Sequence, residues 1–317
     1  MESGTCNTPE MILSHEVSSN FGNTFSSFVG CEYEDDEDDD ESYLNCMRSL
    51  KTSDLLYGVS QIYKLTGIAA DDDVRLKQPQ PPLFPLMPFG PCIDGTTDGI
   101  PKIPLDAILD GEHNKDVPLL IGTNLNEGSI FVSQISTIIP SVRFPLDEAD
   151  VIAALHHFLD SVVPGGREAV PMDELMNNIY NIDKFQGKVR EQLSMIIRDY
   201  IFLCPSRRAV RAISQHRRFN ENDNTGSISA AQAYLYQFTF KPRFWLDYKI
   251  FGEYPASELD FVFGRPYPRP SRIAFDWKDD KMVKVVQGYW LSFAHSGNPN
   301  NFDINPKAFI EWVSKAK

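Results

Sequence analysis

Residues 117–131 read VPLLIGTNLNEGSIF, and no other stretch of this chain narrows its fold as far. VPLLIG is an unbroken apolar run of strand length, the pattern of a parallel strand buried on both faces. Asn124, Asn126 and Gly128 are turn formers, so the run predicts a strand that ends in a tight turn. That turn carries one carboxylate, Glu127. In open α/β sheets chemistry gathers at the carboxyl ends of the strands, so Glu127 stands where a working acid would stand. A solvated turn also commonly contains Asn-Glu-Gly, and only further segments separate the two readings.

With 317 residues, the chain is long enough for one sizeable core or two modest ones. At 42% hydrophobic and 23% charged residues it has the composition of an ordinary globular protein. No apolar run reaches the length of a membrane span. The opening residues, MESGTCNTPEMILSH, lack a basic start followed by a continuous apolar stretch, so no signal peptide is visible. The net charge of −14 is concentrated: nine of the ten residues from Glu32 to Glu41 are acidic, Tyr33 being the exception. Such a surface repels phosphate backbones and argues against nucleic-acid binding. The acidic run reads as a solvated, self-repelling loop, open to a basic partner or a loosely held cation. None of the five cysteines (Cys6, Cys31, Cys46, Cys92, Cys204) forms a C-x-x-C pair, so no zinc site is indicated.

Helical spacing appears at Pro145–Leu159, where Val151, Ile152, Leu155, Phe158 and Leu159 share a face, with Asp147 and Glu148 suited to the helix start. It recurs at Gly187–Leu203. Pro205 is expected to open a further helix at its first position, and His216–Ile228 reads as a loop. Asp279–Ala294 is helical, with Met282, Val283, Val286, Tyr289, Trp290 and Phe293 periodic, Trp290 and Phe293 expected in the core and Gly297 as its cap. Tyr43–Leu56 suits a short helical segment, and residues 1–30 show no clear period. Ala233–Phe240 reads as an aromatic strand. Residues 68–105 are too rich in Pro, Gly and Asp for regular helix. Strands separated by helices fit an α/β sheet, yet the strands are few for this length, as expected of part of a larger sheet.

The acid-bearing segment resembles that of the type-B carboxylesterase and cholinesterase family. The resemblance continues in family order through Ile93-Asp94-Gly95, Ser257-Glu258-Leu259-Asp260-Phe261-Val262-Phe263-Gly264 and Gly288-Tyr289-Trp290-Leu291-Ser292-Phe293-Ala294, followed by Gly297-Asn298-Pro299-Asn300. It implies an incomplete α/β-hydrolase fold, the whole chain forming roughly the C-terminal 55–60% of one domain, with Glu2-Ser3-Gly4-Thr5 resembling a motif just after the nucleophile segment. It implies that Glu127 is the acid of a Ser-Glu-His triad and that Met87 and Phe89 lie near the acyl pocket, although simple loop anchoring would explain both equally well. Cys31 and Cys46 would close the acidic loop 31–46 as a disulfide rather than remain free thiols, which would place the protein in a secretory or extracellular compartment. Cys204 resembles a half-cystine whose family partner lies nearer the C-terminus; no cysteine follows it here. Asp199 and Glu258 are expected to serve in ion pairs or hydrogen bonds.

Triad hydrolysis needs a serine nucleophile, a histidine base, a carboxylate that orients the histidine, and donors for the oxyanion. It needs no cofactor. No G-x-S-x-G occurs in the chain, and the residue at the family's histidine position is Pro255. Proline cannot relay a proton, and loss of a triad histidine costs orders of magnitude in rate. His15, His113, His156, His157, His216 and His295 show no pattern that would replace it. The expectation is therefore a serine carboxylic-ester hydrolase relative, acting on small-molecule esters if completed by an upstream segment, but inactive as this chain. The alternative is a non-catalytic adhesion or ligand-binding member of the same fold, with a protein partner.

Overall fold

In the computed structural model the described residues are 1–8, 12–31, 39–66, 89–162, 166–220, 232–241, 258–264 and 275–301. The principal helices are α1 (His15–Val29), α2 (Asp39–Ser49), α3 (Thr52–Thr66), α4 (Pro104–Leu109), α5 (Ser129–Ser133), α6 (Glu148–Val162), α7 (Val189–Ile197), α8 (Cys204–Asn220), α9 (Leu259–Val262) and α10 (Trp277–Ser296). The strands are β1 (Leu13–Ser14), β2 (Cys92–Ile93), β3 (Leu119–Asn124) and β4 (Ala233–Phe238). The chain divides into two units, one formed by Met1–Thr8, Pro104–Ser133 and Tyr180–Lys317, the other by Pro9–Ile103 and Gln134–Ile179.

In the second unit β1 and β2 pair in parallel, and the chain passes straight from β1 into α1. Helix α1 has no clear sequence signal, because Ser, Asn, Thr and Gly dilute its apolar pattern and are modest helix formers. Its boundaries are set by caps. The Ser14 side chain accepts from the Val17 N–H, and Gly30 stops the helix in a left-handed conformation at φ 76°. Phe21 and Phe25 of α1 pack with Ile62 of α3, and Val17, Phe28, Val29, Met47 and Val59 surround them. Burying side chains of this size is worth ~1.5–3 kcal/mol each, enough to override weak local propensity.

The predicted helical segment at Tyr43–Leu56 is instead parts of two helices, α2 and α3, with a break at Leu50 and Lys51. The break has a local cause: the Lys51 N–H donates to the Asp54 carboxylate, and the Lys51 carbonyl accepts from Asp54 and Leu55. Cys31 and Cys46 are joined as a disulfide, with Cα atoms 5.8 Å apart. The bridged segment is not wholly loop, since α2 begins at Asp39 within it. Acidic residues favour the amino end of a helix, which explains why the sequence Asp-Asp-Glu opens α2. Helix α6 starts three residues later than the spacing suggested. Asp147 and Asp150 exchange backbone-to-carboxylate bonds of 2.9 and 3.0 Å there, so Asp147 caps the helix. Val151, Leu155, Phe158 and Leu159 are buried as expected, together with Ala154.

In the first unit β3 lies between two parallel neighbours. Leu119–Asn124 pairs residue by residue with Ala233–Phe238 on one side, and Glu2 bridges to Gly122 on the other. The Met1 ammonium extends that contact by donating to the Leu120 carbonyl at 2.7 Å. Gly122 is required at this crossing, because a Cβ there would sit 2.2 Å from the ring of Tyr236. The strand is buried along nearly its whole length, as an uninterrupted apolar run implies.

Helices α7 and α8 form one continuous run, joined by a wider π-helical stretch at Arg198–Leu203. Pro205 is the second residue of α8 rather than the first, and it lacks the N–H that the Ile201 carbonyl would otherwise receive. The Thr8 hydroxyl donates to that carbonyl at 3.0 Å, and Asn7 Nδ2 donates to the Pro205 carbonyl at 3.1 Å. The loop expected from His216 is helical as far as Asn220; residues 221–231 lie outside the described residues.

Helix α10 opens with a reciprocal cap between Asp276 and Asp279 and ends at Gly297. Met282 and Val286 are buried with Phe238 and Phe261. Trp290 and Phe293, expected in the core, are half-buried because they face aromatic rings of β4: Tyr236 lies 4.9 Å from Trp290 and Tyr234 lies 6.3 Å from Phe293. Among the described residues no helix is long and apolar enough to cross a membrane.

Candidate acid site at the end of β3

Strand β3 ends at Asn124, and Glu127 follows in the turn that leads into α5. Glu127 is 0% exposed, which removes the reading of a solvated turn residue. Its Oε1 accepts the Asn124 backbone N–H at 2.7 Å, so the carboxylate is folded back onto the end of its own strand. Its Oε2 is buried and has no hydrogen-bond partner among the described residues. Gly128 makes the arrangement possible, because a Cβ there would come within 2.0 Å of the Ser194 carbonyl in α7.

A second carboxylate closes the site. Glu258, immediately before α9, is 1% exposed and accepts Asn124 Nδ2 at 2.5 Å and the Ser3 hydroxyl at 3.2 Å. Asn124 Nδ2 also donates to Ser3 Oγ at 3.2 Å. Ser3 holds the left-handed conformation, at φ 52°, directly beside the Glu2–Gly122 bridge. A serine in that region is strained by a small amount, and here the strained residue lies at the candidate site. Trp290 Nε1 donates to Glu2 Oε1 at 2.7 Å, and the Tyr236 hydroxyl is buried with no partner among the described residues.

Burial dominates the electrostatics. Desolvation pushes the Glu127 carboxyl up to about 7, against the pull of the Asn124 backbone N–H and the Ser3 hydroxyl, and the like charge of Glu258 adds to the rise. Desolvation likewise raises Glu258, opposed by its bond from the Asn124 side chain. Tyr236 is raised by burial first and by Glu258, Glu2 and Glu127 after it.

The turn is also held from the π-helical stretch. Arg198 Nη1 donates to the Leu125 carbonyl at 3.4 Å, while Nε and Nη2 hold Asp199 Oδ1 at 2.7 and 2.5 Å. Tyr180 Oη donates to Asp199 Oδ2 at 2.8 Å. Asp199 therefore makes an ion pair and Glu258 makes hydrogen bonds, the structural roles expected of both.

The other site expectations divide. Asp94 of Ile93-Asp94-Gly95 holds a turn in the second unit: its Oδ1 accepts Thr96 N at 2.9 Å, Thr96 Oγ1 at 3.1 Å and Ile100 N at 3.0 Å, and the Thr96 N–H leads in pulling its carboxyl below the ordinary value. Phe89 is 47% exposed, with its ring edge-on to Phe25 at 5.6 Å. Met87 and Pro255 lie outside the described residues. Cys6, Cys92 and Cys204 are free thiols. Ser3 and Asn124 are the members that sequence reasoning missed. Asn124 read only as a turn former, and Ser3 meets Glu258 across 255 positions, a separation no local pattern reports.

Glu127 thus stands at the carboxyl end of a parallel strand, held by a backbone N–H and shielded from water, where chemistry gathers in open α/β sheets. The sequence profile of the carboxylesterase family matches residues 1–315, and the chain belongs to that family. Its fold is accordingly the α/β-hydrolase type, with β3, β4 and their helices a portion of that sheet. It is 26% identical to acetylcholinesterase of Electrophorus electricus over 320 residues, covering 95% of this chain and 46% of that protein. It is 28% identical to bile salt-activated lipase of Bos taurus over 219 residues, covering 69% of this chain and 33% of the lipase. It is 25% identical to carboxylesterase 1E of Mus musculus over 262 residues, 81% of this chain and 40% of that protein. The chain thus spans less than half the length of these curated relatives.

Proposed function

We propose that Glu127 occupies the acid position of a carboxylesterase-type Ser-Glu-His triad and that this chain, as given, does not hydrolyse esters. The observation that carries the reading is the buried Glu127 carboxylate at the end of β3, held by the Asn124 N–H with Oε2 left over. In a triad that second oxygen would accept an imidazole N–H, fix its tautomer and stabilise its charged form. Pro255 stands at the histidine position implied by the resemblance, and it can neither accept nor return a proton. The chain also contains no G-x-S-x-G elbow. A complete protein carrying serine and histidine would act on small-molecule carboxylic esters, with Met87 and Phe89 near the acyl pocket. The names of the cholinesterase, lipase and carboxylesterase relatives support that substrate class.

A second reading is a non-catalytic binding member of the same fold, with a protein partner. Pro255 favours it, because an internal residue that cannot relay a proton removes the chemistry at its centre. The Cys31–Cys46 bridge supports a secretory or extracellular setting for either reading, since such bridges persist where the surroundings are oxidising.

The test is to incubate the purified chain with a fluorophosphonate and a chromogenic short-chain ester. The expected result is no mass increase on the intact chain and no ester turnover above the buffer rate. A stoichiometric phosphonate adduct accompanied by turnover would overturn the inactive reading.

A further inference from the structure

Glu127 and Glu258 are two essentially unexposed carboxyl groups that share Asn124 and Ser3 as their donors. The donors they share are neutral ones, the Asn124 and Ser3 groups. The Asn124 N–H serves Glu127, whereas one Asn124 amide proton and the Ser3 hydroxyl serve Glu258. The other amide proton goes to Ser3 Oγ. A doubly ionised pair would therefore hold two negative charges away from water with only neutral donors beside them, which burial disfavours.

No described cation offsets this charge. The charged groups that act on the pair are the two carboxyls themselves and Glu2, all acidic. From the π-helical stretch Arg198 faces the turn, but its guanidinium is engaged by Asp199 and the Leu125 carbonyl. Arg207, Arg208 and Arg211 of α8 are exposed to solvent. From the neighbouring strand segment, the Met1 ammonium bonds Leu120, four residues before Asn124 and so about 13 Å along the strand. β4 contributes the un-ionised Tyr236, and α10 contributes the neutral Trp290 indole.

We propose that Glu127 and Glu258 together bind one proton at neutral pH, so that the end of β3 is a proton site coupling the stability of this chain to pH. The proton belongs to the pair, since the two carboxyls share their donors and titrate together. The sign of the effect follows from the upward shift. A group whose value is raised on folding contributes stability that is full below its unfolded value and fades as pH rises through its folded value. For Glu127 that window runs from the ordinary 4.5 to about 7, so the site favours the folded chain in mild acid and weakens it toward alkaline pH. Its basis is the geometry of the two carboxyls, so an unexpected phosphonate adduct would leave it standing.

The experiment is urea unfolding of the intact chain at a series of pH values from about 5 to about 8, for the unaltered protein, Glu127→Gln and Glu258→Gln. Glutamine mimics the protonated acid in shape and cannot ionise. Loss of one bound proton changes the unfolding constant by at most about tenfold per pH unit. The expected result is that Glu127→Gln flattens this dependence and is the more stable protein at pH 8, with Glu258→Gln acting in the same direction. An identical pH dependence in all three proteins would overturn the proposal. If the variants do not fold, infrared spectroscopy of the unaltered chain decides: a protonated-carboxyl C=O band from a solvent-shielded group at neutral pH is expected, and its absence would overturn the proposal.

Discussion

Gly128 shows how tightly one residue constrains the candidate site. The turn that carries Glu127 passes so near α7 that a Cβ at Gly128 would lie 2.0 Å from the backbone carbonyl of Ser194. Backbone cannot move aside as a flexible side chain can, so Gly128→Ala should cost ~1–3 kcal/mol of overpacking. Chemical denaturation would show this as a lower midpoint with an unchanged slope. At this scale the sequence was informative for Glu127 and uninformative for its partners. Glu127 stood out because an apolar run and turn formers flank it directly. Ser3 did not, because its role arises from a chain reversal that joins residues 255 positions apart and from a positive φ that composition does not reveal.

Among the elements, legibility tracks the strength of the local pattern. β3, β4, α6, α7 and α10 all carry an unbroken apolar run or a clear helical period, and all lie close to where that pattern put them. α1 was hidden because its phenylalanines are separated by Ser, Asn, Thr and Gly, and it owes its existence to packing against α3 and to its two caps. The π-helical stretch was hidden for another reason: the signal that breaks the helix, Pro205, reads equally well as a helix start, and the carbonyl it leaves over is satisfied by distant Thr8. The disulfide-closed segment makes a prediction at this scale. Cys31 and Cys46 are 15 positions apart, and on the chain-entropy model a bridge over a loop of this length stabilises by about 3 kcal/mol. Cys46→Ser should therefore lower the denaturation midpoint. The loss should be greater at low ionic strength, where the acidic charges between Glu32 and Glu41 repel one another most strongly.

At the scale of the whole molecule, charge and chemistry pull apart. The negative charge of −14 is concentrated in one short run that the disulfide encloses, whereas the candidate site depends on carboxyl groups kept from ionising together. One of the two proposed departures of this chain from an active esterase, beside the missing G-x-S-x-G elbow, lies at position 255, 128 residues beyond Glu127 in sequence.

That departure can be tested directly by Pro255→His in the intact chain, with the titration of the introduced imidazole followed by NMR alone and in combination with Glu127→Gln. The expected result is an imidazole that donates to Glu127, leaves the shared proton on Glu258 and is held above the ordinary value of about 6.5, returning toward that value once Glu127 is made neutral. An imidazole that titrates near the ordinary value whether or not Glu127 is present would contradict the pairing of these two positions, and with it the assignment of Glu127 as the acid of a triad.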